Sequence, residues 1–228
     1  METFDLQKIS ENQVISICQF IESKRAEIQS TAGIHLNAVL RDDIFWLLDR
    51  YCTVVYYPID DGSNNGFHVS YPRQNGQEVH FVHINTAQHK EKQIFTAAHE
   101  LGHIWEVNKF VKGYETANNA LEFDEHLMNR FAAELLMPKD LFLPFEKIAV
   151  NEATKEGVLT IGGMVQAITA MMNEFFVPYK AVVMRLYELD VIPSKIAKVL
   201  LGEGSVPLSI IEEFSKTVAK KQGFDRLY

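Results

Sequence analysis

The spacing of hydrophobic positions changes from helical to strand-like and back again along the chain. Apolar residues recur at helical spacing over residues 14–21 and again over residues 36–48. Three short segments rich in β-branched and aromatic residues then predict strands at 52–57, 67–71 and 79–84. A loop at 60–66 and a turn at 72–76 separate these strands, so we predict a small antiparallel sheet.

Helical periodicity returns from about Gln88 and dominates the rest of the chain. A long helix from Gln88 is followed by a loop that contains Gly113, and a second helix runs from about residue 121 until Pro138 ends it. Further helices are predicted at 161–175, 179–189 and 208–220. The pattern predicts an α+β fold in which the small antiparallel sheet packs on a helical core. The expected domains are residues 1–150 and a C-terminal helical region, 151–228.

The two helices joined by Phe176-Val177-Pro178 have helix-turn-helix spacing. The second of them carries two basic residues, Lys180 and Arg185, and two acidic residues follow, Glu188 and Asp190. A DNA-reading helix needs a basic surface instead. The net charge of -8 also argues against sequence-independent binding of nucleic acid. We therefore expect the C-terminal helices to pack or to dock a partner, and we expect no nucleic acid as ligand.

Composition and the start of the chain indicate a cytoplasmic protein. Hydrophobic residues make up 47% and charged residues 23% of the 228 residues, which is typical of globular proteins. The first residues lack a secretory signal, and no apolar stretch reaches the ~20 residues that span a bilayer. Cys18 and Cys52 are too few for a disulfide framework, and we interpret both as small buried hydrophobic residues.

One predicted helix contains the sequence His-Glu-Leu-Gly-His at residues 99–103. Four residues is slightly more than one helical turn, so His99 and His103 point the same way and can bind one Zn²⁺ at ~2.0–2.1 Å. Glu100 lies on the flank of that face, where it can take a proton from water at the metal without being a ligand. Gly102 is small enough to let another segment approach the helix closely.

A catalytic zinc site needs a third protein ligand and an open fourth position. The expected third ligand is Glu125 on the second predicted helix, with Asp124 and Glu122 as the alternatives. Asn129 lies one turn after Glu125 on the same face, where it can accept a hydrogen bond from a ligand imidazole and fix its tautomer. Glu134 lies in an otherwise apolar run, and we interpret it as a buried structural acid.

Peptide hydrolysis also needs a donor that stabilises the negative charge developing on the substrate carbonyl oxygen. Two residues are candidates for this role, namely Tyr114 in the loop between the site helices and His126 next to Glu125. A sheet edge near the site could bind an extended peptide by strand addition. The other histidines near the sheet are interpreted as surface or pocket-edge residues: His68, His80, His83 and His89.

The motif helix, together with the run EHLMNRFAAELLMP at residues 125–138, resembles the ImmA/IrrE family of bacterial zinc metallopeptidases. The resemblance covers roughly residues 50–140 and extends weakly to 176–186. This sequence departs from the family pattern at Met128, where the family usually has Ala. The resemblance implies a gluzincin-like site with zinc as cofactor, with His99, His103 and Glu125 as its ligands and Glu100 as catalytic acid and base.

Family members commonly cleave or inactivate a DNA-binding repressor. The resemblance therefore implies a zinc-dependent endopeptidase that acts on a protein substrate, a helix-turn-helix repressor or another regulator of transcription. The alternative is a zinc-binding regulatory protein that sequesters a repressor without cutting it. Glu100 favours the enzyme, because a purely structural metal site has no use for a general base. A third hypothesis, a DNA-binding regulator that uses the C-terminal helices, is disfavoured by the acidic charge.

Overall fold

The computed structural model of the chain describes residues 9–73, 78–111, 120–224, 226 and 227. Its contacts divide these residues into two compact units, and the division falls between Leu136 and Met137. The helix that follows Pro138 therefore shares its contacts with the C-terminal helices, although the sequence pattern grouped it with the first domain. The domain boundary near residue 150 stays a prediction.

The first unit combines helices with a small sheet. Its elements are α1 (Glu11–Ala32), α2 (Asp43–Asp49), β1 (Thr53–Tyr57), β2 (Gly66–Pro72), β3 (Glu78–Asn85), α3 (Lys90–Ile104), α4 (Val107–Phe110) and α5 (Ala120–Leu136). Capping explains the length of α1, since Ser10 and Gln13 form a capping box at its start and Gly33 ends it with φ 65°. The helix predicted over 36–48 is shorter than expected, because the chain adopts helical geometry only from Asp43.

The sheet confirms the α+β class, but it is mixed rather than wholly antiparallel. Its strand order is β1-β3-β2, with β2 antiparallel and β1 parallel to β3. The fully buried Asn85 holds the loop that crosses between β1 and β2: its side chain accepts from Ile59 N at 2.8 Å and donates to Asn64 O at 2.7 Å. The loop crosses from one edge of the sheet to the other, so β1 and β2 lie on opposite sides of β3 and do not pair with each other.

The two faces of the sheet differ in their surroundings. Val82 and Ile84 on the inner face are fully buried, and this face packs against α3. His68 pairs with Val82 across β2 and β3, so it belongs to the inner face as well. The outer face presents large hydrophobic side chains with substantial exposure: Val55, Tyr57, Phe67, Val69, Tyr71 and Phe81.

Aromatic rings form much of the core between α1, α3 and α5. Phe20 lies with ring centroids 6.2 Å from Trp105 and 6.4 Å from Phe131, in edge-to-face arrangements. The cysteine interpretation was wrong for Cys18, which is exposed, and Cys52 is only partly buried. Cys18 follows the fully buried Ile17, and adjacent helical residues point about 100° apart, which turns the thiol toward solvent.

The second unit is helical in the residues that the structure describes. Its elements are α6 (Lys139–Ala153), α7 (Ile161–Phe175), α8 (Tyr179–Glu188), α9 (Ser194–Leu200) and α10 (Leu208–Gln222). The sequence pattern did not predict α6, because Pro138 was expected only to end the helix before it. In the structure Pro138 is the N-cap of α6, and Pro144 lies inside it.

Arg185 of α8 is a structural residue. Its side chain is fully buried, and its Nε and Nη2 groups donate to the carbonyl of Met137 at 3.1 and 2.9 Å. Of the two basic residues that α8 offered to nucleic acid, this one is enclosed by protein. The finding supports the expectation that these helices pack or dock a partner. No helix in the described parts of the chain has the length and apolar character needed to cross a membrane.

Candidate metal centre

Gly102 allows α3 and α5 to approach each other closely. A Cβ atom at this position would lie 2.7 Å from Met128 Sδ and 2.8 Å from Phe131 Cδ1. Real side chains do not tolerate such distances, so the glycine of the motif is required by packing, as its small size suggested. Met128 fills the space beside Gly102, which explains how a residue larger than the family's usual Ala fits here. This contact sets the motif helix against the helix that carries Glu125.

Three side chains from α3 and α5 converge on one point. His99 Nε2 lies 3.2 Å from His103 Nε2 and 3.2 Å from Glu125 Oε2, and His103 Nε2 lies 3.6 Å from Glu125 Oε1. Ligands that surround a metal tetrahedrally at ~2.0–2.1 Å are about 3.3 Å apart. The three spacings fit such a metal, and the cluster is the one group of potential metal donors found among the described residues.

The Nδ1 atoms of His99 and His103 point away from the cluster, and their partners indicate that the Nε2 atoms facing the cluster are acceptors. His99 Nδ1 lies 3.0 Å from Asn129 Oδ1, and His103 Nδ1 lies 3.5 Å from Asp124 Oδ2. Both oxygens accept hydrogen, so each neutral ring carries its hydrogen on Nδ1 and directs a lone pair from Nε2. Two lone pairs and a carboxylate facing each other need a cation between them. The residues present therefore fit a divalent metal.

Asp124 is a site residue whose role was not foreseen. The sequence offered it as an alternative ligand, but in the structure its Oδ2 faces the back of the His103 ring. Its Oδ1 accepts a hydrogen bond from Asn108 Nδ2 at 3.0 Å, which fixes the carboxylate. A carboxylate behind a ligating imidazole orients the ring and raises its basicity. No signal in the sequence distinguishes this role from that of a ligand, because it depends on how α3 and α5 pack.

Glu100 lies beside the cluster in a dry environment. Only 7% of the residue is exposed. Burial is the largest influence and raises the pKa of the Glu100 carboxyl, while His99 and His103 oppose the shift. A raised pKa brings a carboxylate closer to the range in which it exchanges protons at neutral pH. The placement agrees with a general acid and base, which stays a proposal for this residue.

The pKa values of His103 and Glu125 reflect their contact. Burial of the His103 ring lowers its pKa, but the hydrogen bond to Glu125 and the nearby carboxylates outweigh it, so the pKa is raised. The bonds to His103 and His99 hold the pKa of Glu125 far below its usual range. Glu125 is therefore ionised at any pH at which the imidazoles are neutral, as a metal ligand must be.

The sheet contributes one imidazole beside the cluster, His68, and a second, His80, that contacts the first. The rings of His68 and His103 are nearly parallel, with centroids 6.3 Å apart, and His68 Nε2 lies 2.9 Å from His80 Nδ1. Burial, and then the neighbouring histidines, lower the pKa of His68 to about 4. From the sequence, both histidines were interpreted as surface or pocket-edge residues. The alternation of β2 gave no such signal, since its large apolar residues Phe67, Val69 and Tyr71 lie on the exposed outer face. Only the pairing with the buried Val82 places His68 on the inner face.

Other predicted residues lie apart from the cluster. Tyr114 falls outside the described residues. His126 is half-buried on α5, and as the neighbour of Glu125 it points about 100° away around the helix. Its role as an oxyanion donor stays a prediction. Glu134 is buried and accepts a hydrogen bond from Arg130 Nη2 at 2.7 Å, which agrees with its interpretation as a structural acid. Glu122, an alternative third ligand, is exposed on the first turn of α5.

Comparison with known proteins identifies one family. The sequence profile described as Peptidase_M78, IrrE N-terminal-like domain, matches residues 50–187, which include the whole donor cluster. No curated protein matches the chain. A solved structure of a Mycobacterium tuberculosis transcriptional regulator is similar at 15% sequence identity and a TM-score of 0.49. The similarity covers 83% of this chain and 50% of the regulator, so the chain spans about half of that protein's length.

Proposed function

This chain belongs to the Peptidase_M78 family of IrrE N-terminal-like domains, and on that basis we propose that it is a zinc-dependent endopeptidase that cuts a DNA-binding regulator protein. The observation that carries the proposal is the convergence of His99, His103 and Glu125 at spacings of 3.2 to 3.6 Å. A buried carboxylate, Glu100, lies next to that cluster. Two imidazoles and one carboxylate are a ligand set used by catalytic zinc.

The residues of the chain divide the work of hydrolysis between them. His99, His103 and Glu125 would hold the zinc ion, which supplies Lewis acidity that polarises the scissile carbonyl and lowers the pKa of water. Glu100 takes the proton from the attacking water as the carbonyl carbon becomes tetrahedral. The Glu100 carboxyl then delivers the proton to the leaving amine.

The regulator as substrate is supported by resemblance and by charge. Members of the ImmA/IrrE family commonly inactivate a DNA-binding repressor, and DNA-binding proteins carry basic surfaces. Residues 9–136, which form the unit with the donor cluster, contain 17 acidic and 10 basic residues. An acidic enzyme surface steers a basic protein toward it. A cytoplasmic location, where such a regulator acts, is part of the same proposal.

The test measures metal content and cleavage on the same samples. Zinc-replete protein is incubated with a proteome-derived peptide library and, separately, with the helix-turn-helix protein encoded beside its gene. Mass spectrometry then identifies new termini. We expect one zinc ion per chain and cleavage in both assays. Glu125→Ala should lose metal and cleavage together, whereas the control Glu122→Ala, one turn earlier on α5, should keep both.

The outcomes separate the enzyme from its alternative. A protein that holds zinc and binds the regulator, but yields no new termini in either assay, would be the regulatory protein that sequesters without cutting. A protein that cuts the library but not the regulator is a peptidase with another substrate. Equal cleavage by the wild type and Glu125→Ala would trace the activity to a contaminant and contradict the proposal.

A further inference from the structure

One wall of the metal centre comes from the sheet and has no part in the proposed ligand set. The three metal donors lie on α3 and α5, whereas His68 reaches the cluster from β2. Its ring lies nearly parallel to that of His103, at 21° and with the centroids 6.3 Å apart. The residue is only partly buried, so a substrate at the centre can reach it. His68 thus borders the space in which a peptide would be cut.

The hydrogen bonding of His68 leaves one of its nitrogens available. His68 and His80 lie on the same face of the sheet, and Nε2 of His68 lies 2.9 Å from Nδ1 of His80. Two ring nitrogens at this distance share one hydrogen, so one donates and the other accepts. Nδ1 of His68 bonds no atom in the described parts of the chain. When His80 is the donor, the hydrogen of His68 lies on that free Nδ1.

We propose that His68 is a further catalytic residue, whose Nδ1–H donates a hydrogen bond to the carbonyl oxygen of the scissile peptide as negative charge develops on it. His80 is the positioning residue, because its donated hydrogen bond fixes the ring and the tautomer of His68. No bond to His68 forms or breaks, and Glu100 remains the group that moves the proton. This inference rests on the proposed peptidase function.

The position of His68 meets a requirement of the reaction that the three metal donors and Glu100 do not meet. A tetrahedral oxyanion needs an oriented donor, and a donor held in place before reaction contributes most to the rate. The candidates taken from the sequence were Tyr114, outside the described residues, and His126, directed away from the Glu125 side of α5. His68 is held by His80 on a strand, and a strand positions a side chain more rigidly than a loop.

The kinetic test compares replacements of His68 on a peptide that the wild type cuts. His68→Ala should lower kcat by about 10²–10³-fold, the usual loss for one oxyanion donor, with KM little changed. His68→Asn places an amide N–H near the position of Nδ1 and should recover part of that loss. His80→Ala should lower kcat less than His68→Ala does. The control is His35→Ala, which removes an exposed histidine from the loop after α1.

Two further measurements distinguish this role from a structural or ligating one. Competition with a chromophoric chelator should give His68→Ala the zinc affinity of the wild type. Long-range ¹⁵N–¹H NMR of the imidazole rings should find the His68 hydrogen on Nδ1 and the shared hydrogen on His80 Nδ1. A His68 hydrogen on Nε2, a loss of zinc affinity in His68→Ala, or a wild-type kcat in that variant would each overturn the proposal.

Failure of His68 and failure of the enzyme give different results. When the wild type cuts the peptide and His68→Ala cuts it equally well, the donor role is wrong and the peptidase stands. When the zinc-loaded wild type cuts neither library peptides nor the regulator, the peptidase and the donor role are both wrong. The NMR measurement needs no substrate, so it decides the hydrogen-bond direction in either case.

Discussion

The carboxylate of Asp124 lies behind the imidazole of His103, with Oδ2 3.5 Å from Nδ1. The next residue, Glu125, meets the other nitrogen of the same ring. Asp124→Asn should therefore keep the fold but weaken zinc binding by about 10–100-fold, as losses of such supporting carboxylates typically do. Chelator competition measures the affinity. Unchanged affinity would show that Asn108 or solvent can replace the carboxylate.

Glu100→Gln should separate catalysis from metal binding. Glu100 lies beside the three proposed ligands and not among them, and Gln is nearly isosteric but cannot accept a proton. We expect one zinc ion per chain and a rate lowered by about 10²–10⁴-fold. The measurements are metal content and peptide cleavage on one sample. A variant that keeps zinc and cuts at the wild-type rate contradicts the role of Glu100 as base, and a variant without zinc contradicts the ligand geometry.

Zinc affinity should fall as the pH decreases through the imidazole range. A protonated His103 cannot ligate, and its pKa is raised, so affinity is full above that raised pKa and is lost below it. The decline should therefore begin at a higher pH than for an ordinary imidazole of pKa ~6.5. Chelator competition from about pH 8 to 5 tests this. Asp124→Asn is the matched variant, since removal of a nearby negative charge should move the midpoint to lower pH.

Gly102→Ala should destabilise the first unit. The added methyl group would meet Met128 and Phe131 at less than 3 Å, and overpacking costs about 1–3 kcal/mol, offset by about 1 kcal/mol of helix propensity. We expect the free energy of unfolding to fall by up to about 2 kcal/mol. Urea unfolding followed by tryptophan fluorescence measures it, because both tryptophans, Trp46 and Trp105, belong to this unit.

A second substitution provides the control for Gly102. Met128→Ala removes one of the two obstructing side chains, so the double variant Gly102→Ala/Met128→Ala should show a non-additive, partial recovery. Recovery remains partial because the buried Phe131 ring still blocks the methyl group. Additive losses in the double variant would show that Met128 already moves aside at no cost.

The C-terminal helices should not bind DNA tightly. Arg185 is buried against the Met137 carbonyl, which leaves α8 few basic groups to neutralise phosphates. Fluorescence anisotropy with labelled duplexes at about 150 mM salt should show no saturable binding. Sequence-selective, salt-sensitive binding that Lys180→Ala abolishes would instead assign a DNA-reading role to α8.

The sequence alone determined the candidate ligands, because their geometry is a local property of helices. Residues four apart on a helix face the same way whatever surrounds it, so His99 and His103 had to share a face. Glu125 was found from its place on the next periodic segment and from a family resemblance. Gly102 likewise indicated the close approach of a second segment. The α+β class followed from the change in hydrophobic period.

The tertiary structure decided what depends on pairing between distant segments. Period-two alternation shows which strand residues share a face, but not which strands are neighbours, so the parallel pairing of β1 with β3 could not be predicted. The positions of His68 and His80 near the site could not be predicted either, because their distance from His103 depends on how the sheet packs on α3. Asp124 was named as a possible ligand, and only the angle between α3 and α5 placed its carboxylate behind His103. Such contacts depend on non-local packing, which local periodicity does not specify.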